Sequence, residues 1–328
     1  MDQTMHSIKN FITGSQQTHA TAKPLVTIVT TTFNLIKGGR SEIFRQCMQS
    51  IHDQTYENIE HIIVDGASTD GTLDLIKKYA SKKARLISEP DSGIYDAMNK
   101  GIRLAQGKYV AFLNSDDYYS DKEGVSISVR ALEESNADFS YAPAMIKFED
   151  GRLFDNHPHC NPRISNVFLA MPFCHQTMFA KRQVMIKEGI FDTSYKSAAD
   201  YDFVIRLCLR KSKSIFVPRV FVTYLYAGLS STQQALSLEE IGEVWRRNYG
   251  KLFPITSKTI EQMKKNIFSG RYDSYDGVTV NMARQFRKFS PYFDYASYLK
   301  STHRKSMRAA IRTKMRDFIN RKISLLQK

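Results

Sequence analysis

Four cysteines in a chain of 328 residues, Cys47, Cys160, Cys174 and Cys208, leave little room for a cysteine-based architecture. They form no C-x-x-C pair and their spacing is irregular, which argues against a structural zinc site and a disulfide framework. Reduced thiols in a reducing compartment are the expectation. Long apolar runs are also missing. No stretch approaches the roughly 18 apolar residues of a membrane span. The richest candidate, Ile215 to Leu229, is interrupted by Pro218 and Arg219 and reads as strands. Met1 to Lys23 lacks the unbroken apolar core of a secretory signal. The expectation is a soluble or peripheral protein.

Negative charge is scarce: 33 Asp and Glu stand against 47 Lys and Arg, a formal net charge of +14. The imbalance is local. Residues 281–328 carry thirteen Lys and Arg against Asp294 and Asp317, a net of +11 that leaves only +3 for residues 1–280. In this basic tail Met307, Ile311, Met315, Phe318 and Leu326 can line one helical face, with Arg304, Arg308, Arg312, Arg316 and Lys322 around them. Such a helix suits an anionic membrane surface; a stripe docked on the core is the plainer alternative.

What the chain does contain is an alternation of short β-branched runs and helical patterns. After a polar leader ending at Lys23, Leu25 to Thr32 reads as a buried strand. Ile43, Cys47 and Ile51 follow at helical spacing, then the short apolar run His61 to Val64. Ser68, Thr69 and Asp70 offer N-cap chemistry for a helix through Leu73, Ile76 and Tyr79. Ala84 to Ser88 is a weaker strand. Ile94, Met98 and Ile102 make a helix with a small packing face at Ala97, Gly101 and Ala105, and Gly107 reads as its C-cap. Tyr109 to Leu113 is a strand, Ala199 to Lys211 a helix, and Phe216 to Tyr226 strand-like. Asp121 to Pro172 gives no clear pattern, and beyond Gln234 the pattern is helical. Strand–helix alternation with short links predicts a mostly parallel sheet covered by helices, whose ligands bind beyond the strands' carboxyl ends.

Asp65 and the pair Asp116-Asp117 both fall just after strands. A departing diphosphate needs its charge neutralised, and Mg²⁺ or Mn²⁺ held by one or two carboxylates supplies that. A solvated turn is the plain alternative for an isolated Asp-Asp. The order of motifs is more specific: Thr27 to Asn34 (TIVTTTFN), Val64-Asp65-Gly66-Ala67-Ser68-Thr69-Asp70-Gly71-Thr72, Asp91-Ser92-Gly93-Ile94-Tyr95-Asp96-Ala97-Met98-Asn99-Lys100-Gly101, then Phe112-Leu113-Asn114-Ser115-Asp116-Asp117. From about Pro24 to about Leu229 the chain resembles the family 2 glycosyltransferases, inverting enzymes of the Rossmann-like GT-A fold.

The resemblance implies roles for named residues. Thr31 and Phe33 match first-strand positions that contact the nucleobase. Asp65 is similar to the carboxylate that bonds the base, and Asp91 lies where the family approaches the uridine or the donor sugar. Asp116 resembles the residue facing the ribose, and Asp117 the metal ligand. Many members carry Asp-Asp-Gly-Ser where this chain has Asp65-Gly66-Ala67-Ser68, so Gly66 cannot supply a second carboxylate. The family's later Glu-Asp motif, whose Asp is the general base, is matched by Ala199-Asp200, which makes Asp200 the candidate base. Asp202 has an alternative as an i,i+4 helix-surface pair with Arg206, and Asp200 has no obvious partner. Pro172-Phe173-Cys174-His175-Gln176 resembles a segment before the acceptor site, with His175 a candidate contact to donor phosphates or acceptor. His157 and His159 flank Pro158 without ligand-spaced company and read as ordinary loop residues.

The expected organisation is a leader at 1–23, a catalytic domain at 24–230, a helical extension at 231–280 and the basic tail at 281–328. The expected activity is inverting, non-processive sugar transfer from a nucleotide sugar, with UDP-sugar the donor by resemblance. The acceptor would be a glycan or polyprenyl-diphosphate-linked saccharide in surface-polysaccharide assembly, at the inner face of the cytoplasmic membrane. Nucleic acid is not an expected partner. A nucleotidyltransferase would carry a Gly-rich basic loop after the first strand, where this chain has Thr31-Thr32-Phe33-Asn34. A processive synthase would need membrane spans and a Gln-x-x-Arg-Trp motif, and Trp245 sits in Glu-Val-Trp-Arg-Arg.

Overall fold

The computed structural model describes residues 23–155, 167, 171–226, 234–250, 256, 257, 260 and 261. Cys160, His157, His159 and the basic tail lie outside the described residues. In chain order the elements are β1 (Val26–Thr32), α1 (Ser41–His52), β2 (Ile59–Asp65), α2 (Thr72–Tyr79), β3 (Arg85–Ser88), α3 (Ile94–Leu104), β4 (Tyr109–Phe112), β5 (Tyr118–Tyr119) and α4 (Gly124–Ser135). There follow β6 (Phe139–Tyr141), β7 (Met145–Lys147), β8 (Leu153–Asp155), a 3₁₀ turn at His175–Thr177, β9 (Phe179–Lys181), α5 (Arg182–Lys187), α6 (Ala199–Leu209), β10 (Ser214–Phe216), β11 (Val222–Leu225) and α7 (Gln234–Tyr249).

Seven strands form one sheet in the order β10-β6-β9-β4-β1-β2-β3, and β5-β11-β7-β8 form a smaller one. In the large sheet all pairs are parallel except those of β9, which runs antiparallel to both β4 and β6. Every residue of β1 is buried, as a central strand covered on both faces requires. Val29 faces the core built with α3, α6 and α7, while Val26 and Ile28 face the core built with α1, α2 and α4. This is the period-two alternation of a strand.

Several local expectations change. Phe216 to Tyr226 is not one strand. The chain turns at Pro218 and places Ser214–Phe216 in the large sheet and Val222–Leu225 in the small one. The N-cap of α2 is Gly71, at φ 92°, rather than Ser68, Thr69 or Asp70. Asp70 still serves that helix, since its Oδ1 accepts the Thr72 N–H at 3.1 Å. Gly107 is not the C-cap of α3, which ends at Leu104 and is capped by Ala105. It is needed where the chain re-enters the sheet: a Cβ there would lie 2.6 Å from the Thr27 backbone nitrogen. The small face of α3 does pack as expected, with Ala97 and Ala105 buried and Gly101 set directly against the Val29 side chain.

Helix α7 is part of the main core. Val244, Trp245 and Tyr249 are buried in the same cluster as α6, and Trp245 donates its Nε1–H to the Tyr201 hydroxyl at 2.9 Å. Filling that space with a large aromatic ring contributes several kcal/mol, since Trp→Ala in a core costs about 3–5 kcal/mol. The same helix supplies Glu240, whose Oε1 accepts the Lys196 N–H and whose Oε2 accepts those of Ser197 and Ala198, at 2.7 to 3.0 Å. These orphan donors precede α6, so Glu240 fixes how that helix begins. The cysteines Cys47, Cys174 and Cys208 are free thiols, and burial pushes Cys208 up to about 12.

Candidate functional site

The carboxyl ends of β1, β2, β3 and β4 lie side by side, because these strands are neighbours in a parallel ladder. The chain leaves β1 at Phe33, β2 at Gly66, β3 toward Asp91 and β4 toward Asn114 to Asp117. Two groups of residues result, one at the mouth over β1 to β3 and one in a cavity of about 420 Å³ beyond β4.

At the mouth, register places Thr32 opposite Asp65. Asp65 is fully buried and saturated. Its Oδ1 accepts from the hydroxyls of Thr32 (2.9 Å) and Ser68 (2.6 Å), and its Oδ2 accepts from the Ser68 N–H (2.9 Å) and the Ser88 hydroxyl (2.8 Å). It ties together the ends of the first three strands. Thr31 is buried within β1, whereas Phe33 exposes 56% of its surface. Asp91 Oδ1 accepts the Gly93 N–H at 2.9 Å. Burial pushes the Asp91 carboxyl above the ordinary range, and that hydrogen bond only partly offsets it. Arg40 reaches from the loop after β1, donating to the Phe33 carbonyl at 2.7 Å and lying 4.0 Å from Asp116 Oδ2.

The cavity brings together Asp116, Asp117, His175 and Asp200. Asp117 is buried: its Oδ2 accepts from Gln176 Nε2 at 2.6 Å and its Oδ1 from the Leu225 N–H at 3.1 Å. These neutral donors do not compensate a full charge. Burial, and then the neighbouring Asp116 charge, push the Asp117 carboxyl well above the ordinary value. An under-neutralised buried carboxylate, which also takes a hydrogen bond from the Asn114 side chain, fits a hard divalent cation. Among the described residues no three His, Cys, Asp or Glu side chains converge, so such an ion would complete its shell from phosphate and water.

Asp200, in the first turn of α6, lines the same cavity. It has the partners that spacing along its own helix did not reveal. Its Oδ2 lies 3.2 Å from His175 Nδ1, and its Oδ1 accepts from the Tyr95 hydroxyl (3.0 Å) and the Tyr201 N–H (2.9 Å). Burial alone would raise its pKa, but the bonds from His175, the Tyr201 N–H and Tyr95 outweigh it and hold Asp200 below the ordinary value. His175 Nε2 is buried with no hydrogen-bond partner among the described residues. Asp202 points elsewhere. It is buried rather than on the helix surface, with Arg206 Nε at 2.8 Å and Asn248 Nδ2 at 2.7 Å.

Tyr95, Gln176, Glu240 and Arg40 are the neighbours that sequence reasoning missed. Tyr95 and Gln176 lie inside the quoted motifs, and Tyr95 is aimed at Asp200 only because α3 packs beside α6. Arg40 and Glu240 had no signal in one dimension.

The model of "Glycosyl transferase family 2" matches residues 27–190. A PGL/p-HBAD biosynthesis glycosyltransferase of Mycobacterium tuberculosis is 31% identical over 192 residues, covering 56% of this chain and 70% of that protein. TuaG of Bacillus subtilis, named for teichuronic acid biosynthesis, is 34% identical over 140 residues, covering 42% of this chain and 53% of its own. Among solved structures, TarS 1–349 of S. aureus in complex with UDP-GlcNAc superposes with a TM-score of 0.58 at 18% identity, covering 81% of this chain and 82% of that one. The mannosyltransferase PcManGT of Pyrobaculum calidifontis, in complex with GDP-Man and Mn²⁺, gives 0.55 at 16% identity, covering 92% and 93%. This chain spans 44% of a longer TarS chain. The mostly parallel sheet, the helices on both faces and these neighbours make the fold the expected GT-A arrangement. By its matched motifs and relatives, the chain belongs to glycosyl transferase family 2.

Proposed function

We propose that this chain is an inverting, non-processive glycosyltransferase that moves a hexose from a UDP-sugar to a hydroxyl of a glycan or lipid-linked saccharide. The observation that carries this reading is that one cavity is lined by Asp116 and Asp117 together with Asp200 and His175. A reacting centre between them would have charge control at the leaving group and a proton acceptor at the attacking group. Phe33 offers an exposed face on which a base stacks, with Asp91 beside it, and Asp116 stands toward the ribose.

Asp117, with Asp116 next to it, would hold Mg²⁺ or Mn²⁺, which neutralises the charge of the departing diphosphate. Arg40, close to Asp116, adds fixed positive charge on the same side. The acceptor oxygen attacks the anomeric carbon as the bond from that carbon to the diphosphate oxygen breaks. The bonding pair leaves with the diphosphate, and Asp200 takes the hydroxyl proton. Tyr95 and His175 hold the Asp200 carboxylate in place. The low pKa keeps it ionised at neutral pH, ready to accept. His175 also lies where it could touch acceptor or phosphate.

The names of the relatives support surface-polysaccharide or glycolipid assembly as the setting. Among the described residues no helix is long and apolar enough to cross a membrane. The basic tail is therefore proposed as a peripheral contact with the anionic inner face of the cytoplasmic membrane. Proton NMR of the first-formed product tests the stereochemistry. An α-linked UDP-sugar should give a β-linked product, and retention of the α configuration would remove Asp200 from the role of base.

A further inference from the structure

Helix α6 begins without a cap of its own. The cap position is Ala198, whose side chain has no oxygen to offer the N–H groups of a helix start. The acceptors come from α7 instead. Glu240 takes the N–H of Lys196 on one oxygen and those of Ser197 and Ala198 on the other, at 2.7 to 3.0 Å. The Ser237 hydroxyl, on the same helix, lies 2.7 Å from that of Ser197. Just past Asp200 the helix takes hold again, with Trp245 Nε1 donating to the Tyr201 hydroxyl and Asn248 Nδ2 to Asp202 Oδ1. Asp200 therefore sits between two segments that α7 fixes, and Ser237 and Ile241 of α7 line the same cavity. None of α7 falls within the matched residues 27–190.

We infer, resting on the reading of Asp200 as the base, that Glu240 is a positioning residue for sugar transfer. Its carboxylate accepts the N–H groups of Lys196, Ser197 and Ala198 ahead of α6 and so sets where Asp200 stands toward the attacking hydroxyl. Helix α7 then belongs to the active unit rather than to a separate extension. Charge matters here as well as shape. A carboxylate offers only acceptors, so both of its oxygens can face N–H groups at once, and bonds to a charged acceptor are the stronger kind. An amide in the same place satisfies one set of donors and turns its own NH₂ toward the other. The turn that carries Asp200 would then shift, and misplacing a reacting group by about 1 Å costs on the order of 10²-fold in rate.

Release of UDP from UDP-glucose, UDP-galactose and UDP-GlcNAc tests this on the full chain, with water as the attacking hydroxyl. Water adds to the anomeric carbon, the bond from that carbon to the diphosphate oxygen breaks, and Asp200 takes the proton that water loses. On the donor that wild type hydrolyses fastest, Glu240→Gln should lower kcat about 10- to 100-fold, while UDP affinity measured by calorimetry stays near wild type. Glu240→Asp keeps both acceptor oxygens on a shorter stem and should retain more of the rate. It carries the comparison if Glu240→Gln does not fold. Val129→Ala, a core truncation in α4, should lower the melting temperature without lowering kcat. In an Asp200→Asn background the cost of Glu240→Gln should shrink to within about twofold, because a residue that acts through the base has nothing left to position.

If Asp200→Asn loses turnover while Glu240→Gln keeps the wild-type kcat, the role of Glu240 is overturned and the base stands. An equal fold loss from Glu240→Gln in both backgrounds overturns it too, because Glu240 then acts on the fold at large or on the donor. If Asp200→Asn keeps wild-type turnover, the base reading and the role of Glu240 fall together. They also fall together if wild type releases UDP from none of the donors it binds.

Discussion

His175 Nδ1 lies 3.2 Å from Asp200 Oδ2 while the Tyr95 hydroxyl donates to Oδ1 of the same carboxylate, so three separate elements converge on one acceptor group. The proposed base is thus held from the 3₁₀ turn before β9, from α3 and from its own helix. Replacing it should show at the chemical step. Asp200→Asn should cut transfer by about 10²- to 10⁴-fold with little change in nucleotide affinity. Asp202→Asn should leave transfer far less affected but cost on the order of 1–3 kcal/mol of stability, because it weakens buried bonds to Arg206 and Asn248. Transfer rate, nucleotide binding and thermal melting on both variants decide this. Loss of transfer in Asp202→Asn with retention in Asp200→Asn would move the base two residues along.

The pH dependence follows from the same contact. His175 is the largest of the influences that lower the Asp200 pKa against its burial. In His175→Gln the carboxyl should titrate higher, so the acid limb of the kcat/KM profile should shift to higher pH. A variant that loses rate with an unmoved acid limb would show that His175 acts on the substrate rather than through Asp200.

Asp117→Asn should nearly abolish turnover while leaving the fold intact, since the amide has the same shape, keeps the Leu225 N–H on its oxygen and can donate to a turned Gln176 amide, but no longer carries the charge a cation needs. The melting temperature should rise if anything, because burial and Asp116 already disfavour the charged carboxylate. Full activity of the variant, or of wild type in EDTA, would remove the metal assignment.

Acid stability has a separate source. His61 is buried in β2 beside the Thr30 hydroxyl at 3.1 Å, and burial lowers its pKa to about 4 from the ordinary 6.5. Between those two values the unfolded chain binds a proton that the folded chain does not. Folding stability should therefore fall as pH drops through this window, by up to about 3 kcal/mol in total. Urea denaturation from pH 7 to pH 4 should show this slope, and His61→Gln should flatten it. An equal slope in the variant would assign the acid sensitivity to other groups.

Much of the fold was legible because β1 and α3 have strongly patterned cores and β2 a short but unbroken apolar run. Their boundaries fall within a few residues of expectation. Of the smaller sheet only β11 fell within a strand-like reading, since β5, β7 and β8 have two or three residues each and carry no measurable period. Strand β9 was not legible either, since its antiparallel insertion between β4 and β6 depends on partners far away in sequence. The glycines show the same limit. Gly101 was read correctly as a packing contact, but Gly107 was read as a cap when its role is a close approach to Thr27. At the site, Asp116, Asp117 and Asp200 were named from ordered motifs, yet the saturation of Asp65 and the partners of Asp200 come from packing alone.

The tail lies outside the described residues, and its expectation rests on composition and pattern. Deleting Ser301 to Lys328 should weaken binding to anionic vesicles and leave turnover on a short soluble acceptor largely unchanged. Vesicle binding that survives the deletion would end the amphipathic-helix reading.

The central claim is that the cavity beyond β4 transfers a sugar from a nucleotide donor with help from a cation at Asp117. Its most direct test is nucleotide diphosphate release across a panel of nucleotide sugars, with Mn²⁺ or Mg²⁺ and with EDTA, for wild type and Asp117→Asn. The account predicts metal-dependent release from at least one UDP-sugar by wild type, and loss of that release in both EDTA and the variant. Release that is equal in wild type, variant and EDTA, or absent for every donor that binds, would contradict it.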